Sequence, residues 1–164
     1  RTGALRRGYL AMVWGAPAMP TGTVDQPIGR HATAREKMAV RTQGREALTH
    51  WRRLETFTGR DGKPVASSLA LQLETGRTHQ IRVHLSSLGH PVVGDALYGA
   101  PKAEVAKIRE GELPNLALGR NFLHAAAIEF EQPLTGRPLV MERPLPPELQ
   151  FFLQRLKHPR GAVV

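Results

Sequence analysis

The sequence predicts a mixed α+β fold: a largely antiparallel sheet with flanking helices. Three observations carry that expectation. Apolar residues recur with period two in several separate stretches, two other stretches switch to helical spacing, and strands outnumber helices along the chain.

Tyr9 to Trp14 is a short apolar run ended by Gly15, Pro17 and Pro20, the pattern of a buried strand. Thr23 to Ile28 and Met38 to Arg41 are short extended pieces around a basic loop, Arg30 to Lys37. Ala47, Thr49, Trp51 and Arg53 alternate with His50, Arg52 and Leu54, a period-two strand, and Asp61-Gly62 followed by Lys63-Pro64 marks a turn. Leu69, Leu71 and Leu73 then define a second half-buried strand. At Thr78 the period changes. Ile81, Leu85 and Leu88 form one helical stripe, with Thr78 as N-cap and Gly89-His90-Pro91 as the stop. Pro101 to Glu112 fits a further short helix. Phe122 to Phe130 and Pro138 to Glu142 fit strands joined by the turn Leu134-Thr135-Gly136-Arg137. Pro146 to Leu156 closes the chain as a helix with Leu149, Phe152, Leu153 and Leu156 on its apolar side.

At 164 residues the chain suits one domain or the larger part of one. No apolar run is long enough to cross a bilayer and no signal-peptide pattern opens the sequence. With no cysteine, disulfides and thiolate metal sites are excluded, and a reducing, cytoplasmic setting fits. The net charge of +9 is unevenly spread. Residues 1–60 hold eleven Lys/Arg against four Asp/Glu, while residues 61–164 hold twelve against ten. Arg outnumbers Lys eighteen to five, which suits bidentate phosphate contact. A basic first third fits one face meeting a nucleic acid, and it also fits a solvated arginine-rich surface.

Chemistry concentrates at Glu74 to Arg82, where strand, glycine turn and helix start follow within nine residues. Arg77 precedes the helix start and Arg82 lies one turn inside, where positive charge opposes the macrodipole. An anion facing them, either a carboxylate or a phosphate, resolves that opposition. Solvated arginines on an ordinary surface helix fit the same residues. His79 and His84 are five apart and do not share a face as a metal pair would, Ser67, Ser68, Ser86 and Ser87 lack a nucleophile-elbow context, and no triad assembles for a hydrolase. Nine aromatics are thin for a module that binds RNA mainly by stacking.

The stretch LETGRTHQIRVHLSSLGHPVVGDALYG, Leu73 to Gly99, resembles the signature block of RluA-type RNA pseudouridine synthases. GYLAMVWG around Tyr9 resembles that family's second motif. TVDQPIGRH, GREALTHWR, FLHAAAIEFEQPLTG and the final helix extend the resemblance over nearly the whole chain. The resemblance implies isomerisation of uridine to pseudouridine in structured RNA, ribosomal or transfer, without cofactor or metal. The base is flipped into a pocket, detached at N1, turned and rejoined through C5, with an aspartate as nucleophile or base. By position, Tyr9 matches the tyrosine that packs on the base, Arg82 the arginine that pairs with the catalytic aspartate, and Leu123 the apolar residue against the pocket. Arg77 and His79 fall in the same block with substrate-contact or structural roles. Arg30 and Arg35 in the basic loop are candidates for the RNA backbone.

One part of the family pattern is missing. Its first motif, His-Arg-Leu-Asp, belongs upstream of Tyr9, and none of Asp25, Asp61 and Asp95 has that context; Asp95 suits a turn-making role. The expectation is therefore residues 1–164 as the C-terminal portion of the catalytic domain, cut on its N-terminal side, monomeric and catalytically incomplete, with Arg82 lacking its acidic partner. The competing reading is a non-catalytic RNA-binding protein on the same scaffold.

Overall fold

The apolar run that begins at Tyr9 forms the inner half of β1 (Leu5–Trp14), and it is apolar throughout because both of its faces are covered. The computed structural model describes residues 5–59, 61–99, 121–131, 138–142 and 144–157. Tyr9, Ala11 and Val13 pack to one side of the sheet, and Leu10, Met12 and Trp14 pack to the other.

β1 lies inside a six-stranded sheet with β2 (Thr21–Asp25), β5 (Leu48–Thr58), β6 (Pro64–Leu73), β7 (Leu123–Glu131) and β8 (Pro138–Glu142). The order is β2-β5-β6-β1-β7-β8, and every described pair is antiparallel. A separate hairpin, β3 (Ile28–Arg30) with β4 (Met38–Val40), frames the basic loop. The expected α+β class holds, but the extended piece expected over Thr23 to Ile28 divides into β2 and β3, which lie in different sheets, and Arg30 belongs to β3 rather than to the loop. β6 departs from the expectation of a half-buried strand: Val65 to Leu69 are all buried, because β6 sits between β5 and β1 with both faces covered. Its small polar residues are satisfied there, with Ser67 Oγ donating to Gly15 O at 2.9 Å and Ser68 Oγ accepting Glu55 N–H at 3.2 Å.

Helix α1 (Gln80–Ser87) covers one face of the sheet, placing Ile81 and Leu85 against Ala11, Leu69, Leu71 and Leu73. On the other face Leu149 of α2 (Pro147–Lys157) packs with Met12, Trp14 and Phe122. The Pro101 to Glu112 helix and the Leu134 to Arg137 turn lie outside the described residues. Among the described residues no helix is long and apolar enough to cross a membrane.

Both ends of α1 are informative. Gly89 (φ 91°) ends it as expected, with His90 N–H donating to Leu85 O at 2.9 Å and Gly89 N–H to Ser86 O at 3.0 Å, a Schellman arrangement. Leu88 does not join the buried stripe; it is exposed, and Val83 is buried in its place under the β3–β4 hairpin. The N-cap is His79, not Thr78. His79 is left-handed (φ 55°, ψ 23°), the one non-glycine residue with positive φ among the described residues. No side chain caps that turn; Gln80 Oε1 instead accepts the Arg77 N–H just ahead of the helix.

Gln80, Thr49 and His84 are buried, and their hydrogen bonds run in one direction. Thr75 Oγ1 accepts Leu48 N–H (3.0 Å) and donates to Gln80 Oε1 (2.8 Å), which also accepts Arg77 N–H (3.0 Å). Gln80 Nε2 donates to Leu48 O (2.9 Å) and Thr49 Oγ1 (3.0 Å). Because Gln26 O can only accept, His84 Nε2 carries the proton in their 2.8 Å bond, and Nδ1 accepts from Thr49 Oγ1 at 2.8 Å. Burial lowers the His84 pKa below its usual value, in keeping with a neutral ring.

Since the unfolded chain binds a proton at His84 near pH 6.5 and the folded chain only lower down, stability is expected to fall as pH drops from 7.5 into that window. Urea unfolding at pH 7.5 and 5.5 checks this. A smaller pH effect is expected in His84→Gln, and a wild-type midpoint that rises towards pH 5.5 would contradict the neutral ring.

Candidate functional site

Four elements converge at one cleft of about 180 Å³, lined by Tyr9, Leu73, Gly76, Arg77, His79, Gln80, Ile81, Arg82 and Leu123. β1 supplies Tyr9. Its register with β7 slips by one residue between Gly8 and Tyr9, an irregularity that re-aims a side chain. Tyr9 pairs with Ala125 and Ala11 with Leu123, so Tyr9 and Leu123 are diagonal neighbours on the α1 side. Leu73 at the end of β6 and Ile81 on α1 complete the apolar wall. The turn after β6 and the start of α1 supply the polar side: Arg77, His79 and Arg82.

Arg82 is not without an acidic partner in this chain, contrary to expectation. Asp95 takes it side-on, with Nε donating to Oδ2 and Nη2 to Oδ1, both at 2.8 Å. Asp95 also makes the turn expected of it, since Oδ1 accepts Leu97 and Tyr98 N–H, each at 3.1 Å. Burial pushes the Asp95 carboxyl up, but the Arg82 hydrogen bonds and those backbone N–H groups outweigh it and hold its pKa below the usual value. On the partner, the Asp95 hydrogen bond holds the guanidinium pKa up against burial. The Tyr98 ring lies 5.0 Å from the guanidinium carbon, a cation–π contact.

Tyr98 reaches further. Its hydroxyl accepts Met38 N–H at 2.9 Å, tying β4 to the loop, and lies 2.8 Å from His79 Nδ1 with the rings edge to face. Burial, then the nearby Arg82 charge, lowers the His79 pKa. Arg77 is held by Nε donating to Glu46 O at 2.6 Å.

Of the residues singled out in the sequence, the fold brings Tyr9, Arg77, His79, Arg82 and Leu123 together, although they span positions 9 to 123. Arg30 and Arg35 do not line the cleft. They sit exposed on the β3–β4 hairpin, where Arg30 Nη1 donates to Arg35 O at 3.3 Å. Asp95 as the arginine's partner, Tyr98 and Gln80 were not foreseen. Among the described residues, none of those lining the cleft is acidic.

The RNA pseudouridylate synthase family matches residues 1–87, more than half of the sequence. The chain belongs to that family. An RNA pseudouridine synthase of Chloroflexus aurantiacus is 45% identical over 153 residues, covering 93% of this chain and 43% of that protein. Ribosomal large subunit pseudouridine synthase D of Xanthomonas campestris is 42% identical over 158 residues, covering 93% and 44%. The chain thus spans less than half the length of these curated relatives. Among solved structures, human RNA pseudouridylate synthase domain containing 1 superimposes with a TM-score of 0.65 at 28% identity, covering 94% of this chain and 66% of that one. The antiparallel sheet with few helices is the pseudouridylate synthase fold, and the family's chemistry is RNA uridine isomerisation.

Asp95→Asn is expected to cost this pseudouridylate synthase fold about 2–4 kcal/mol, because the mostly buried Arg82 loses its counter-charge. The carboxylate's folded pKa is depressed, so its contribution is full above the unfolded value near 4 and fades below it. Chemical denaturation of both proteins at pH 6 and pH 3 checks this; an equal midpoint at pH 6 would contradict it.

Proposed function

We propose that the cleft is the uridine-binding part of an RNA pseudouridine synthase acting on structured RNA in the cytoplasm, with ribosomal RNA favoured by the names of its relatives. The single observation that carries this reading is the meeting of Tyr9, Arg82 and Leu123, drawn from three elements, around one small cleft whose other side is basic. Tyr9 and Leu123 flank the flipped uracil, and Tyr9 stands where it can assist proton removal late in the reaction. The C1′–N1 bond breaks, the ring turns, the C1′–C5 bond forms, N1 gains a proton and C5 loses one. The reaction is an isomerisation that needs no cofactor.

The family's carboxylate is supplied in this reading from outside residues 1–164. Asp95 is engaged by Arg82 and by its own turn, and Asp25 and Asp61 do not line the cleft. Arg82 still has Nη1, which no described hydrogen bond uses, to meet that carboxylate and keep it ionised. Arg77 and the basic first third, with Arg30 and Arg35 on the hairpin, contact the RNA backbone, and the protein works as a monomer. A second reading, a non-catalytic RNA-binding protein, is favoured by one observation: Arg82 is already paired within the chain.

Two measurements separate and test these. Arg82→Ala in the longer protein is expected to abolish uridine isomerisation while changing RNA affinity less than about tenfold; near-normal turnover would sink the role given to Arg82, and a wild-type protein without isomerase activity would favour the second reading. RNA affinity is also expected to fall linearly, on logarithmic axes, with rising salt. A flat response would show that the basic first third is a solvated surface.

A further inference from the structure

We propose that His79 donates its Nε2–H to a ring carbonyl oxygen of the flipped uracil, and that Tyr98 is the positioning residue that holds His79 in that tautomer. The proposal rests on the cleft being the uridine site. The Tyr98 hydroxyl already accepts the Met38 N–H, and His79 Nδ1 is the one other hydrogen-bond partner described for it. Pointing the hydroxyl hydrogen at Nδ1 gives it an acceptor within reach, and in that arrangement the ring proton sits on Nε2. Tyr98 does not line the cleft and His79 does, so in the proposed arrangement the Nε2 edge, opposite the Tyr98 contact, is on the cleft side. No described hydrogen bond uses Nε2.

The residues around it say what such a donor recognises. Arg77 and Arg82 already give the polar side of the cleft two permanent cations. His79 sits beside Arg82 in a partly buried place that keeps its ring uncharged at neutral pH. An uncharged, singly directed N–H suits a neutral carbonyl in the plane of a base better than it suits a phosphate. Tyr9, Leu73, Ile81 and Leu123 supply the apolar surface against which the base faces pack, so its edge is turned to the polar side. His79 is also held left-handed (φ 55°) at the start of α1, a conformation that a non-glycine residue rarely adopts.

Nitrogen-15 spectra of histidine-labelled chain, with His79 assigned by its loss in His79→Asn, read the tautomer directly. Asn is chosen because it tolerates the left-handed backbone. The expected result at pH 7 is a neutral ring protonated at Nε2, giving way in Tyr98→Phe to mixed tautomers and a higher His79 pKa. A wild-type ring protonated at Nδ1, or charged at pH 7, overturns the proposal. Binding of a uridine-containing RNA is expected to weaken about five- to tenfold in His79→Asn with an unchanged salt dependence. A slope of log affinity against log salt reduced by about one would identify a phosphate contact instead and overturn it too. In the longer protein both variants are expected to lower kcat/KM, and unchanged values in an active enzyme contradict the proposal. A wild-type enzyme that does not isomerise uridine sinks the functional reading, and leaves the tautomer measurement to stand by itself.

Discussion

The cleft depends on how the first turn of α1 is fixed to β5. An eight-residue helix is too short to persist alone, so its position must come from tertiary contacts. Apolar packing of Ile81 and Leu85 on Leu69, Leu71 and Leu73 holds it to the sheet but tolerates small slides and rotations. The chain of hydrogen bonds from Thr75 through Gln80, Thr49 and His84 to Gln26 does not. Gln80, Thr49 and His84 within it are buried, and an unmet polar group there costs about 1–3 kcal/mol. Only one placement of the helix meets them all. His79 lies just before Gln80 and Arg82 two residues after it, so fixing that residue fixes both of these cleft side chains.

Charge does the second half of the work. A guanidinium free to rotate would meet an incoming anion in many geometries, each with an entropic penalty. Asp95 takes the Nε–Nη2 edge and Tyr98 covers the guanidinium carbon, leaving a single orientation. The loop that supplies both is itself shaped by Asp95, whose carboxylate closes the turn onto Leu97 and Tyr98. One buried carboxylate thereby shapes the loop and aims the arginine. That is preorganisation: the polar side of the cleft is set before anything binds.

Much of this was legible in the sequence, for identifiable reasons. Period-two alternation marked β5, and the unbroken apolar run marked β1, because strand burial leaves a local pattern. Gly89 marked the helix stop because a left-handed residue was required there. Tyr9, Arg82 and Leu123 were found through resemblance, which carries tertiary information that periodicity does not. The misses have physical causes as well. Thr78 has the chemistry of an N-cap, yet His79 stands at the cap with no side-chain bond, and the turn before it is braced by Gln80 Oε1 on Thr75 and Arg77, a long side chain folding back that has no short signature. Leu88 completes a helical stripe on paper, but the hairpin covers the helix from Val83's direction instead. Asp95 read as a turn residue and is one; its second role, thirteen residues from Arg82, shows only once the loop is folded over the helix.

Tyr98 joins parts of the molecule that the sequence presents as separate. Its hydroxyl accepts from Met38 on the hairpin that displays Arg30 and Arg35, while also bonding His79 at the cleft. The hairpin's own sheet has only two strands, which is marginal in water, so its position relies on contacts such as this one and on Ile28 and Met38 packing with Val83. A displacement of the basic hairpin that pulled Met38 N–H away would change the partners of the same hydroxyl that bonds His79. Under the proposed function, a surface suited to the phosphate backbone and a ring aimed at the base thus share one oxygen atom. The two cannot be adjusted independently, and an RNA that seats properly on the hairpin also supports the geometry in which the base is held.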